Sequence, residues 1–577
     1  MKCLQSEEIP ILAIEVTAPV PPELPTSFTI RKSVESETEL TEKIESSTFV
    51  SVKRMGGRTD QTEISIEGVR GKNMEIEVDD MSWETPDGSI DLFALPGKIS
   101  HLSLIPQGMG EGGALIRVET EKSCRKKFLL TYGSENLAGG EANLCLKTGK
   151  AKLNLSTGAL SSDGDFPFIN NRGTFLYTRD DFPDRRKNNQ FNRKFFDIFL
   201  AFSNLSFRYG TTSLLRGEPG LITFPGKYTH SYSLSEIFTL SMKNGNLLLY
   251  ASEGRIREKY SDPSGEFSGF PEHIETFFNQ REAGLKDSGQ ITRGIFWRYR
   301  MKAREVTLKN RYTGGHRRGE FFQYPAIIFS SDKLTLFFMT ALNSVGHSFT
   351  FDPSAGFSLK EGSFDFSGNF STHTNYPTMY ELYFSHGLIQ NNPHLEEGRG
   401  WYADFILKYS GFLNATLMTF RRQDENLIDY FLISGFRYKP LSLSSSSQQG
   451  LTIMINKKID FLAFDLSATL NKTEYHRGNL SGDIPYIPEI NSTGSVRVGT
   501  NPYFKLSLFF QKMVFLNLSN TKYIDHQWRM DGEIYYRFFT NFSIRFYRYN
   551  LFSTSFWSIR GFPTPLKEWE IDLYCRF

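Results

Sequence analysis

No apolar run in the 577-residue sequence approaches the ~18–20 residues that a transmembrane helix needs, so the chain has no helical route across a bilayer. An excess of one charge is missing as well. Lys and Arg number 66 against 64 Asp and Glu, a formal net charge of +2, which leaves no basic footprint for nucleic acid. Cysteine is scarce: Cys3, Cys124, Cys145 and Cys575 show neither metal-ligand spacing nor the density of a disulfide scaffold. A Cys124–Cys145 bridge requires neighbouring strands, and the expectation from sequence is two independent thiols. No apolar stretch precedes Cys3, which speaks against a lipoprotein anchor. The ten His are scattered, no nucleophile motif is present, and Asp79-Asp80 and Asp180-Asp181 read as solvated or lumen charges rather than an acid–base pair. We therefore expect no catalytic residue, no metal site and no cofactor, and not an enzyme. Ser161 to Asp165 reads either as calcium ligands at Asp163 and Asp165 or as a plain polar loop. A secretory signal is also missing. Ser6-Glu7-Glu8 follows Met1-Lys2 closely, and Ile11 to Ile14 is shorter than the roughly 7–15 apolar residues of such a signal. The expectation is a processed sequence or a misplaced start codon.

What the chain does have is alternation. In the last nine residues Trp569, Ile571, Leu573, Cys575 and Phe577 share one strand face, and Glu570, Asp572, Tyr574 and Arg576 the other. The pattern recurs at 451–455, at 464–470, at 534–538 and, after a polar turn at Thr540-Asn541, at 542–547. Segments of about ten alternating residues, joined by short turns and longer loops, are the signature of a membrane barrel. Strands of roughly 9–11 residues cross the hydrocarbon when tilted, and without helices only a closed sheet satisfies its hydrogen bonds in lipid. Composition agrees: 52 Phe, 26 Tyr and 6 Trp give 15% aromatics, yet the mean hydropathy is −0.36, as expected of aromatic girdles around a polar lumen. The competing reading is a large soluble β-sandwich array or a propeller, but no blade-length repeat with a fixed motif is present.

The first 121 residues have a different texture. Pro19-Val20-Pro21-Pro22-Glu23-Leu24-Pro25 reads as an extended linker. Ser36 to Ile44 starts with a cap-type residue and spaces Leu40 and Ile44 by four, which fits a short helix. Short strands are expected at 63–66, 74–78, 102–105 and 115–118, punctuated by Gly56-Gly57, Pro86-Asp87-Gly88 and 108–113. This is a small α+β domain.

Several motifs, in order, resemble those of the TonB-dependent outer-membrane receptors. Ile14-Glu15-Val16-Thr17-Ala18 resembles the TonB box. Gly56-Gly57 followed by Glu63-Ile64-Ser65-Ile66-Glu67-Gly68 resembles the plug signature, Glu75 to Asp80 with Pro86 its next segment, and Gly112-Gly113-Ala114-Leu115-Ile116 its closing strand. In the second part Asn375-Tyr376-Pro377-Thr378-Met379-Tyr380-Glu381-Leu382-Tyr383, Asn392-Pro393-His394-Leu395-Glu396-Glu397, 484–488 and 561–565 are similar to barrel motifs of the family. The resemblance implies an all-β transmembrane barrel of about 22 antiparallel strands with a small N-terminal α+β plug inside the lumen. Its divisions are a box and linker over 1–25, a plug over 26–121 and a barrel over 122–577. Those last 456 residues allow roughly 21 per strand, a compactness that resembles the smaller receptors such as those for cobalamin.

The same resemblance implies energy-coupled uptake of a scarce large solute, whether cobalamin, a ferric siderophore or another metal chelate. It also implies a TonB-type inner-membrane partner that grips the box by strand addition, contact with the bilayer and its lipopolysaccharide, a monomer and the outer membrane of a Gram-negative cell. The alternative is a passive binding or structural barrel whose plug no longer answers to TonB, and the competing reading of residues 14–18, against which the prolines behind them speak, is a solvent-exposed fragment of an ordinary first strand. Ligand contacts are expected from two plug loops, Arg58-Thr59-Asp60 and Met81-Ser82-Trp83-Glu84-Thr85. Trp83 either offers an aromatic face at a loop tip or packs on the inner wall; His373, Tyr376 and Tyr380 are barrel candidates. Two departures stand out: Ile66-Glu67-Gly68 where the family has Ile-Arg-Gly, and Ser100-His101-Leu102-Ser103-Leu104 where it has Glu-Arg-Ile-Glu-Val. Those arginines fasten the family's plug to an acidic wall, so either the fastening is rewired or the plug is looser.

Overall fold

Along the strands of residues 127–576 polar side chains are buried and apolar ones exposed, the reverse of a sheet in water. In the last strand, Glu568–Arg576, Glu570 and Asp572 are fully buried while Leu573 is 40% exposed. In Phe191–Phe202 the buried side chains include Arg193 and Asp197, whereas Phe196, Leu200 and Phe202 face outward. The computed structural model describes residues 29–577 except 37, 58, 90, 107–109, 123, 125, 173–178, 180, 268–270, 387–388, 433–437 and 518.

The alternation closes into a barrel of 22 antiparallel strands in which consecutive strands are neighbours. The first, Lys127–Gly133, pairs with the last, Phe128 opposite Cys575 and Thr131 opposite Asp572. Closure leaves neither edge of the sheet unpaired. Connections at one end are short, as at 149–150, 245–246 and 293–294, where Gly149, Gly245 and Gly294 take the positive φ that glycine adopts without strain. At the other end they are longer, as at 163–190, 376–397 and 550–567.

Inside sits the amino-terminal domain. Its five-stranded sheet has β1 (Ile30–Ser33), β7 (Ile99–Ile105), β9 (Ala114–Thr120), β5 (Met74–Val78) and β6 (Met81–Ser82) side by side, with β5 and β9 parallel. A second sheet joins β2 (Val50–Arg54), β3 (Thr62–Ile66) and β4 (Val69–Arg70), and β8 (Gly110–Glu111) pairs with the barrel strand Phe364–Asn375. The strands expected from sequence fall within β3, β5, β7 and β9. Helix α1 spans Glu39–Glu45, starting later than expected: the Thr38 hydroxyl makes no cap bond and donates instead to Glu570 of the wall at 2.8 Å. Leu40 and Ile44 are buried in one apolar cluster that includes Ile64, Ile76 and Ile116 of the plug and Ile256, Phe278 and Phe420 of the wall. Plug and barrel thus share a core.

One expectation is corrected. Cys124 and Cys145 form a disulfide with their Cα atoms 5.1 Å apart. Lys127 lies opposite Asn143 in the first antiparallel pair, so the chain entering that strand passes beside Cys145.

Candidate functional site

The interface between plug and wall is an arrangement of buried charge. Residues 26–121 contain 18 Asp and Glu against 10 Lys and Arg, whereas 122–577 contain 42 against 55; an acidic domain sits in a basic cylinder. On α1, Glu42 meets Arg545 at 2.8 Å and Glu45 meets Arg529 at 2.9 Å. From the central sheet and the residues after it, Glu75 meets Lys302 at 3.0 Å, Asp79 meets Arg208 at 2.9 Å, Asp80 meets Lys286 at 2.5 Å, and Glu77 pairs with Arg300. Burial alone would raise these carboxyls, but Arg208 and Lys122 hold Asp79 down at about 2, and Arg54 with Arg529 lowers Glu45. A few pairs run the other way, Lys98 with Glu141 at 2.6 Å and Lys72 with Glu381. Apart from the half-exposed Asp80–Lys286 pair, such pairs are screened little by salt, and each leaves an uncompensated buried charge if one partner is removed.

At the end with longer connections three cavities of about 340, 210 and 90 Å³ surround one plug loop, Thr85 to Ser89. The loop is held by Thr85 Oγ1 donating to the Ser89 carbonyl at 2.7 Å, and by Ser89 N–H donating to Asp87 at 3.0 Å. At the other end a larger space of about 940 Å³ opens between plug sheet and wall, bordered by Arg117, Lys286, Arg298, Lys360 and Lys408.

Of the residues singled out in the sequence, Ile14, Glu15, Val16, Thr17, Ala18 and Arg58 lie outside the described residues. Thr59 and Asp60 are buried beneath the mouth. Asp60 accepts from Gly57 N–H and from Asn189 Nδ2 at 2.7 Å, yet burial outweighs these bonds and pushes its carboxyl up to about 6. Met81 and Ser82 form the short β6 and are almost fully buried; Lys302 donates to Ser82 Oγ at 2.6 Å. Trp83, 4% exposed, packs so close to the wall that a Cβ at Gly254 would stand 2.9 Å from its ring, while its edge lines two cavities. Glu84 is held by Arg318 at 3.2 Å. The expected loop 81–85 is therefore mostly the root, and the tip is the turn at Pro86-Asp87-Gly88, whose composition was the signal for it. His373 is fully buried against Asp424 at 2.7 Å; Tyr376 borders the 90 Å³ cavity, and the hydroxyls of Tyr380 and Thr276 are 2.8 Å apart. Among the described residues no group of three His, Cys, Asp or Glu side chains is arranged to hold a metal.

The sequence matches no family model and no curated protein. Solved structures do match. The FrpB iron transporter from Neisseria meningitidis is 12% identical with a TM-score of 0.76, covering 95% of this chain and 99% of that one. The siderophore receptor PirA from Acinetobacter baumannii is 11% identical at 0.77, covering 95% and 98%, and the copper transporter OprC is 11% identical at 0.77, covering 97% and 99%. The fold is that of the TonB-dependent receptors. At the first departure from the family pattern, Glu67 forms no ion pair with the wall among the described residues. Glu67, where the family has arginine, is buried beside Arg422 and Asp404 of the wall; burial pushes its carboxyl up to about 8, with Arg422 pulling down and Asp404 pushing up. At the second departure Ser100 Oγ, 3.1 Å from His101 Nδ1, donates to the backbone of β9.

Proposed function

We propose that the protein is a TonB-dependent transporter of the outer membrane, taking up a scarce solute too large for an open pore, such as cobalamin, a ferric siderophore or another metal chelate. The observation that carries this reading is a folded domain filling the lumen of a 22-strand barrel, fastened by ion pairs rather than by covalent bonds. An unfilled barrel of that circumference is a water-filled channel; with the plug inside it becomes a gate that opens only when work is done on it. In this reading the end with longer connections faces outward, residues 26–121 are the plug, and a monomer suffices. Ile14 to Ala18, ahead of the prolines at 19, 21, 22 and 25, is the extended segment that a TonB-type partner grips by strand addition. The iron, siderophore and copper proteins that share the fold support transport of metal complexes as the class.

Deleting residues 14–18 tests it: uptake of iron and cobalt complexes is expected to vanish while surface binding and barrel assembly persist. Glu67 in place of arginine favours a second reading, a passive receptor uncoupled from TonB. In that case the same deletion changes nothing.

A further inference from the structure

We propose that a solute passes the plug along the inward face of one wall strand, Ile295–Asn310, and that the contact of Glu75 and Ser82 with Lys302 is the barrier on that route. This rests on the transporter reading and names the way through. The space of about 940 Å³ at the end with shorter connections is bordered by four neighbouring strands of the plug sheet, through Arg31 of β1, Ser103 of β7, Leu115 of β9 and Glu75 of β5. Of the three outer cavities, the one of about 90 Å³ shares a wall residue with that space, and the residue is Glu75; the other two share none among the described residues. At Glu75 the thickness of one side chain separates the outer cavity from the inner space.

The wall strand shows the same division. Arg298 and Arg300 border the inner space and Arg304 the outer cavity, while Lys302 between them borders neither. Alternate residues of a strand share a face at intervals of about 7 Å, so Lys302 stands at the level of the partition. Its ammonium donates to Glu75 Oε1 at 3.0 Å and to Ser82 Oγ at 2.6 Å, and Ser82 Oγ donates to Glu75 Oε1 at 3.2 Å. Lys302 is fully buried, with the rings of Phe322 and Tyr324 at 4.8 and 5.8 Å. Beside this contact β8 pairs with Phe364–Asn375, a strand whose Asn375 borders the outer cavity and whose Ser367 borders the inner space. On the plug side the barrier stands on β6, a two-residue strand at the edge of the sheet, paired at Glu77–Ser82 and Val78–Met81. Such an edge opens before the body of a sheet does, so side-chain hydrogen bonds rather than a long ladder hold the route shut.

The full-length protein carrying Glu75→Ala with Lys302→Ala, in a planar bilayer bathed in potassium chloride, is expected to pass a steady ion current where the unaltered protein is silent. Glu75→Gln with Lys302→Met, which keeps the bulk of both side chains, should stay silent. So should Lys98→Ala with Glu141→Ala, which removes a buried plug–wall pair that borders neither space. Ser358, partly exposed on the wall of the inner space, marks the route beyond the barrier. In the alanine pair with Cys3→Ser and Cys575→Ser, a Ser358→Cys thiol coupled to a polyethylene glycol maleimide should lose most of the current. Each variant is first shown to keep the compact form that resists dodecyl sulfate, and Glu75→Ser with Lys302→Ser takes the place of the alanine pair if that pair does not. A current no larger than that of the unaltered protein, an equal current from either comparison variant, or a current that the coupled Ser358→Cys leaves unchanged overturns the proposal. Ion current needs neither a TonB-type partner nor the transported solute, so the route stands or falls apart from the deletion of residues 14–18.

Discussion

Lys302 and Glu75 sit where plug meets wall with side chains 0% and 8% exposed, and removing one partner leaves the other charged in a nearly dry place. Lys302→Met is expected to lower stability by about 3–5 kcal/mol, read from the denaturant midpoint, and adding Glu75→Gln should recover most of it. A single variant with an unchanged midpoint would show that water reaches the pair. Glu67 behaves oppositely to the paired carboxylates, since its carboxyl is raised from 4.5 to about 8 in the folded protein. Between those values the folded state keeps a proton that the unfolded state releases, so stability is full below about pH 4.5 and lost as pH rises through about 8. Glu67→Gln should flatten that part of the profile, seen as a smaller fall in melting temperature between pH 6 and pH 9 than in the unaltered protein. At this scale the sequence was partly legible. Glu67 was visible as a departure from the family's arginine, but Arg422, whose charge acts on it, lies 355 positions later, and no periodicity connects the two.

Strands were the most legible elements, because a period of two is written locally: 74–78 and 115–118 were readable as strands, and they pair in parallel as β5 and β9. The parallel pairing was not legible, being set by the intervening β7. The disulfide belongs to this scale too. It ties the segment before the first barrel strand to the second across a separation of 21 residues, and loop closure of that length stabilises by about 3 kcal/mol. Reducing the protein, or substituting Cys124→Ser with Cys145→Ser, should lower the denaturant midpoint equally; a further drop on reducing the double variant would mean that another bridge exists. The plug loops show the limit of motif spacing. The alternation of β5 and the turn at Pro86 were both visible, but Met81 and Ser82 pair back onto Val78 and Glu77 as β6, which moves the tip from Trp83 to Asp87.

For the whole molecule the property that matters is closure. Deleting 568–577 would strip the strands Lys127–Gly133 and Phe542–Tyr549 of a partner each and open two unpaired edges, which a membrane-spanning sheet does not tolerate. The expected result is loss of the compact form that resists dodecyl sulfate until heated, seen as a single unshifted band on gels run with and without boiling; survival of that form would argue against a closed sheet. By itself the sequence determined that 451–455, 464–470, 534–538, 542–547 and 569–577 alternate as strands with one apolar and one polar face and that the first 121 residues have another texture, because both are readable from neighbouring side chains. Only the tertiary structure decided which carboxylate of the plug meets which cation of the wall. Those outcomes depend on side chains hundreds of residues apart being brought within a few ångströms, and the Coulomb energy that selects among such pairings exists only once the barrel has closed and water has been excluded.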